Sequence, residues 1–183
     1  MAIQTADTTA NARLDAIETD IGTSAILEIF GGTKPANCAT ADTTPKLVTM
    51  NLPSDWMAGA SSRSKAKSGT WSGVGLTSGY ASHFRIKTSG GVVKMQGSLG
   101  EPWAASKAYV LNQQVVNGGN VYKCTTAGTS AGSGGPTGTG TGITDNTAVW
   151  AYVDTADMSL DNSNIAVNQA VAVNTFTIND GMA

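Results

Sequence analysis

The period of the apolar residues constrains this chain most: it is helical once and two-fold almost everywhere else. Ala6, Ala10, Leu14, Ile17 and Ile21 recur at intervals of 4, 4, 3 and 4, which puts them on one face of an α-helix. The spacing predicts a single helix over about residues 5–21, capped by Thr5 or Asp7 and ended by Gly22 in the left-handed conformation. Arg13, Asp15, Glu18 and Asp20 fall on the opposite face. The small apolar stripe suits close approach to the chain's own β core first, and to a neighbouring subunit second.

After Gly22 the period becomes two. Residues 25–30, Leu47–Leu52, Tyr80–Lys87, Val92–Leu99 and Ala170–Ile178 read as strands, separated by turns such as Gly31-Gly32-Thr33-Lys34-Pro35 and Ser89-Gly90-Gly91. In the third of these, Tyr80, Phe84 and Ile86 point inward and His83, Arg85 and Lys87 outward, as in a sheet with one wet face. Short strands without intervening helices predict a mainly β fold, an antiparallel β-sandwich with one N-terminal helix.

Residues 101–154 differ in character. They hold five of the eleven aromatics (Trp103, Tyr109, Tyr122, Trp150, Tyr152), yet 17 of the 23 residues from Thr125 to Thr147 are Gly, Ser or Thr. A run of that composition has little apolar surface with which to order itself, whereas the aromatics around it can nucleate a small fold. The expectation is a β-rich module at 101–154 inserted into a host domain formed by 1–100 and 155–183. Lengthening a surface loop costs little entropy, so such an insertion is tolerated.

Chemistry-bearing patterns are sparse. The one histidine, His83, lies on the expected wet face with no acid nearby in sequence, so a surface histidine is expected rather than the base of a Ser-His-Asp arrangement. One His and two cysteines 86 residues apart make no metal-ligand set, and the Gly-rich run lacks the Lys-Ser/Thr ending of a phosphate loop. No metal, no cofactor and no enzymatic activity are expected. Cys38 and Cys124 read as free thiols, with a disulfide between distant segments as the alternative. Arg63, Lys65 and Lys67 alternate in a Ser/Gly-rich stretch that reads as a solvated loop, or else as a docking patch for an acidic partner. A net charge of −2 provides no field to gather nucleic acid or an anionic membrane. No apolar run approaches the length of a membrane span, and the first residues do not read as a secretory signal.

Two resemblances sharpen this. The run Trp103-Ala-Ala-Ser-Lys-Ala-Tyr109, then Val115-Val116-Asn-Gly-Gly-Asn-Val121-Tyr122-Lys-Cys124, then Gly134-Gly135-Pro136 and Ala148-Val149-Trp150, resembles the small chitin-binding-type carbohydrate-binding modules of families 5 and 12. The resemblance implies glycan stacking by Trp103, Tyr109, Tyr122 and Trp150. For most of these, packing in the core of a small β-fold is the favoured role. The long Thr125–Thr147 loop departs from the compact pattern. In the host part, Asn11-Ala-Arg-Leu-Asp-Ala-Ile17, the run from Ala25 to Ala36, His83-Phe-Arg-Ile-Lys87, Val93-Lys-Met-Gln-Gly97 and the run from Met158 to Ala166 are similar to a family of small tailed-bacteriophage proteins. That likeness covers nearly all of 7–100 and 156–183.

Together they imply a virion structural protein made in the host cytoplasm without a signal peptide. Its partners would be the major capsid protein or other virion proteins and further copies of itself, with host-surface glycans as a further ligand. The most specific expectation is a capsid decoration (cement) protein on the outer face of the lattice with the module projecting outward. The alternatives are a tail, neck or head-fibre component, or a free carbohydrate-binding module.

Overall fold

The computed structural model describes residues 4–180. The chain is mainly β, 46 % strand against 8 % helix. The helix, α1 (Asp7–Ile21), buries Ala10, Leu14 and Ile21 on its apolar stripe. Its N-cap is Ala6, without a side-chain cap, rather than the expected Thr5 or Asp7. The carbonyl and hydroxyl of Thr5 instead accept hydrogen bonds from Arg63, and Asp7 sits inside the first turn, where its charge opposes the positive end of the helix dipole. Gly22 ends the helix at φ +83°, its N–H donating to the Glu18 carbonyl, a backbone angle that disfavours any side chain.

Six strands follow: β1 (Ile26–Gly31), β2 (Lys46–Asn51), β3 (Ser64–Ala66), β4 (Ser72–Gly75), β5 (Gly79–Lys87) and β6 (Val93–Pro102). Residues 108–155 carry β7 (Ala108–Tyr109), β8 (Gln114–Asn117), β9 (Asn120–Thr126), β10 (Gly128–Thr129), β11 (Ile143–Asp145) and β12 (Ala148–Thr155). The chain closes with β13 (Met158–Leu160), β14 (Asn164–Ile165) and β15 (Ala170–Asn179).

The pairing corrects the expected sandwich. From β1 it runs through β2, β4, β15 and β13 to β6, and β6 pairs β5, which pairs β1 again. Seven strands therefore close a ring. The element that closes it is β13, which lies antiparallel to β15 and parallel to β6 (Met158 opposite Leu99) and so joins what would otherwise be two open edges. Inside the ring a file of rings runs Trp56, Trp71, Phe176, Phe84 with centroids 5.8, 5.3 and 5.6 Å apart, each contact worth about 1 kcal/mol beyond its area. Gly97 faces Phe84 across β5 and β6. A Cβ there would come within 2.7 Å of the Phe84 ring, so the bare backbone lets that ring lie across the strand.

Residues of the 101–154 segment form a separate apolar cluster around Tyr109, Val115, Tyr122, Cys124 and Trp150. Its sheet, β11-β12-β9-β8, is joined to the ring because the last residues of β6, Glu101 and Pro102, pair in parallel with Val115 and Val116. Glu101 is buried there and accepts from Lys107, Gln113 and the Ser163 backbone. The Gly/Ser/Thr run is ordered against expectation, held by groups with no periodic signature. Asn117 Nδ2 donates to the Gly134 and Pro136 carbonyls, the Tyr122 hydroxyl to Gly138, and the Tyr152 N–H to Gly140.

The polar face of α1 is not simply solvated. Lys65, 2 % exposed, reaches from β3 to Asp15 at 2.7 Å, Glu18 at 2.9 Å and the Ala58 carbonyl. Arg63 binds Thr5 and Asp7. The Arg63–Lys67 stretch, expected as a solvated loop, is the clamp that fixes the helix, since β3 pairs β15 and turns Lys65 inward.

Candidate functional site

Three places gather polar or aromatic side chains. In the module, Asp145 sits at the hairpin between β11 and β12 and is 4 % exposed. Its Oδ2 accepts the indole N–H of Trp103 at 2.8 Å and of Trp150 at 3.1 Å, and its Oδ1 accepts the Ala131 backbone N–H at 2.8 Å. Tyr109 packs edge-on to Trp150 at 5.0 Å and accepts the Ala104 N–H. Burial pushes its hydroxyl up to about 12. Tyr109, Tyr122 and Trp150 are 1 %, 1 % and 0 % exposed. They have no ring face to offer a sugar, which corrects the stacking role implied for them: in a fold this small they are the core. Trp103 alone of the four is half-buried, with Gly135 against its ring. Tyr152, half-buried beside Tyr122, is the module's other accessible aromatic.

The second place corrects the expected surface histidine. His83 is 0 % exposed, stacked on Phe30 at 5.4 Å, with Nε2 2.7 Å from Asp42 Oδ2 and Nδ1 3.0 Å from Ser82 Oγ. Neighbouring residues of a strand normally face opposite ways. Here a β-bulge intervenes: Phe30 pairs with His83 but Gly31 with Ala81, leaving Ser82 as the extra residue. Arg85, also expected to be wet, is 2 % exposed and donates to the Cys38 and Thr40 carbonyls. The β1–β2 loop thus covers the outer face of β5, and its acid and carbonyls bind that face's cationic groups. Burial holds the His83 imidazole below its ordinary value against the pull of Asp42. Burial would raise the Asp42 carboxyl, but hydrogen bonds from Thr44 and His83 outweigh it and hold it low.

Ser82, His83 and Asp42 are the residue types of an acyl-transfer triad, but the surroundings differ from one. Ser82 Oγ lies 2.7 Å from the Gly32 carbonyl and 3.2 Å from that of Phe30, so its hydroxyl has two carbonyl acceptors besides the imidazole, and the acid meets Nε2 where the usual triad has it on Nδ1. The cluster locks the loop to the barrel. Cys38, in the same loop, and Cys124, buried in the module, are both free thiols.

The third place is a cleft of about 630 Å³ where the ring meets the module, lined from the ring by Lys34, Tyr80, Ser82 and Ser98 and from the module by Asn112, Gln114, Lys123 and Asp154. Lys34 Nζ crosses it to Asp154 Oδ2 at 2.8 Å, which also accepts from Ser98 Oγ. The Lys34 ammonium holds the Asp154 carboxyl below the usual carboxylate range. The Gln114 amide nitrogen, turned toward its acceptors, donates to the Leu99 carbonyl at 2.8 Å and to that of Ser82 at 3.2 Å. Sequence reading missed this site because its residues come from seven separate stretches, none with a motif. No helix among the described residues is long and apolar enough to cross a membrane. Comparison with models of known protein families, with curated proteins and with solved structures finds no match to this chain.

Proposed function

We propose that the chain is a non-enzymatic structural protein of a tailed-phage particle. Its most specific role is capsid decoration, with the ring seated on the outer face of the major capsid lattice and the module projecting away from it. This reading rests on the resemblance, read from the sequence alone, of nearly all of residues 7–100 and 156–183 to small tailed-phage proteins. The geometry is consistent with it in two respects. The buried charged groups Lys65, Glu101, Glu28 and Arg85 each tie one element to another, as suits a rigid component under load. Val74, Leu76 and Val167, 52 %, 55 % and 53 % exposed, gather where the β4–β5 and β14–β15 turns meet, joined by the Asn168 N–H to the Gly75 carbonyl. Exposed apolar side chains grouped in this way suit contact with another protein surface. A second reading, a tail, neck or head-fibre component that touches host glycans, draws on the half-buried Trp103.

The test is a cryo-EM map of the intact particle together with co-sedimentation of the purified chain. Density in a regular array over the shell, and binding to assembled capsids but not to free coat subunits, is the expected result. Density confined to the tail, neck or a single vertex would refute the decoration role.

A further inference from the structure

The cleft between ring and module has polar groups that the fold does not use. Among the described residues, the Lys123 ammonium, the Tyr80 hydroxyl and the Asn112 carboxamide have no hydrogen-bond or ion-pair partner, although all three line it. Lys34 and Asp154 cancel one another across it, so the charge left over is the single positive one of Lys123. Lys123 is half-buried in the middle of β9, directly opposite Gln114 of β8. It is therefore held at the cleft wall rather than waving on a loop. The remaining lining combines hydroxyls and amides, which both donate and accept, with the apolar surfaces of Pro45, Leu47 and Val153.

We propose that this cleft binds an acidic saccharide unit. Its carboxylate would meet Lys123, its hydroxyls the Asn112, Tyr80 and Ser98 side chains, and its C–H face the apolar patch. The chemistry follows from the lining. A polyol needs many two-way hydrogen-bonding groups at close spacing, and the one unpaired ammonium offers a seat for the carboxylate of the bound unit. The site is distinct from the module aromatics, three of which are core, and it exists only where both parts of the chain meet. It does not depend on where the chain sits on a particle, so its failure and the failure of the decoration reading are separate results.

The test uses the purified full chain with galacturonate trimer as probe, followed by calorimetry and by amide chemical shifts, with N-acetylglucosamine trimer and inorganic phosphate as comparison ligands. Saturable binding of the acidic trimer is expected, with shifts at Tyr80, Ser98 and Lys123. The neutral trimer and phosphate should bind at least about tenfold more weakly, and Lys123→Gln should weaken the acidic trimer by a similar factor, one charge-assisted contact. Should Lys123→Gln fail to fold, Asn112→Gly provides the same reading. Asn112 has φ +72°, so glycine removes its side chain without strain, and a severalfold loss is expected. No saturable binding, equal binding of the neutral trimer, a phosphate response as strong as the trimer's, or binding undiminished in the folded variant would overturn the proposal.

Discussion

Asp145 accepts three hydrogen bonds from one buried position, two of them from indoles, and replacing it isolates what that arrangement contributes. In Asp145→Ala the indole N–H of Trp150, on a residue 0 % exposed, loses its acceptor where water cannot follow. Trp103, half-buried, can recover part of its loss from solvent, as can the Ala131 N–H. A hydrogen bond to a charged acceptor contributes about 1.5–3 kcal/mol, and a stranded buried donor costs a similar amount. One full loss and two partial ones sum to about 3–5 kcal/mol. The chain has four tryptophans, and each indole reports on one place. Trp56 and Trp71 lie in the ring and donate to the Gly22 and Ser68 carbonyls, while Trp103 and Trp150 belong to the module. Denaturant titration followed by the four indole N–H resonances should show the Trp103 and Trp150 signals lost at lower denaturant in Asp145→Ala, with the ring pair much less displaced. Asp145→Asn, which keeps one carbonyl acceptor, should fall between. A loss below about 1 kcal/mol at the module resonances would show that the indoles find other partners and would refute this account.

Two further outcomes follow from the buried charges. Lys65→Met keeps most of the side-chain volume but removes the hold on Asp15, Glu18 and the Ala58 carbonyl; amide exchange should quicken throughout α1 while β1 and β5 stay protected, and unchanged α1 protection would contradict the clamp. His83 has its imidazole held below the ordinary 6.5, so the unfolded chain takes up a proton that the folded chain refuses. Its contribution is therefore complete above pH 6.5 and lost as pH falls through the folded value. An NMR titration should find the ring still neutral where a free histidine is half protonated, and a midpoint at or above 6.5 would remove the basis for that window.

The local elements were legible because their signal is local. The intervals from Ala6 to Ile21 mark α1, and the two-fold alternation marks β1, β2, β5, β6 and β15, each within a few residues. Ring closure was not legible, because it depends on β13, three residues long, finding β6 and β15 across a chain separation that no period encodes. The polar faces misled for the same reason. His83 and Arg85 alternate as solvent-facing residues should, and only the fold brings the β1–β2 loop over them, with Asp42 and two carbonyls as partners. Lys65 likewise resembles a surface lysine until β3 pairs β15. In the module, aromatic spacing marked the residues that matter but not their role: Trp150 and Tyr122 have the spacing of a sugar platform and the burial of a core.

Closure of the ring also bears on how many copies can be crowded together. An open sheet ends in two rows of unpaired N–H and C=O groups, and at high local concentration those rows recruit strands from neighbouring molecules. Each of the seven ring strands has a partner on both sides, and the strands that remain at the periphery of the sheets, such as β11 and β14, are three and two residues long. Ring closure thus removes most of the open edge that a dense population of this chain would present, leaving short stretches such as residues 93–97 of β6 and 151–155 of β12. Contacts between copies then fall chiefly to side chains, which can change one at a time without exposing a sticky backbone.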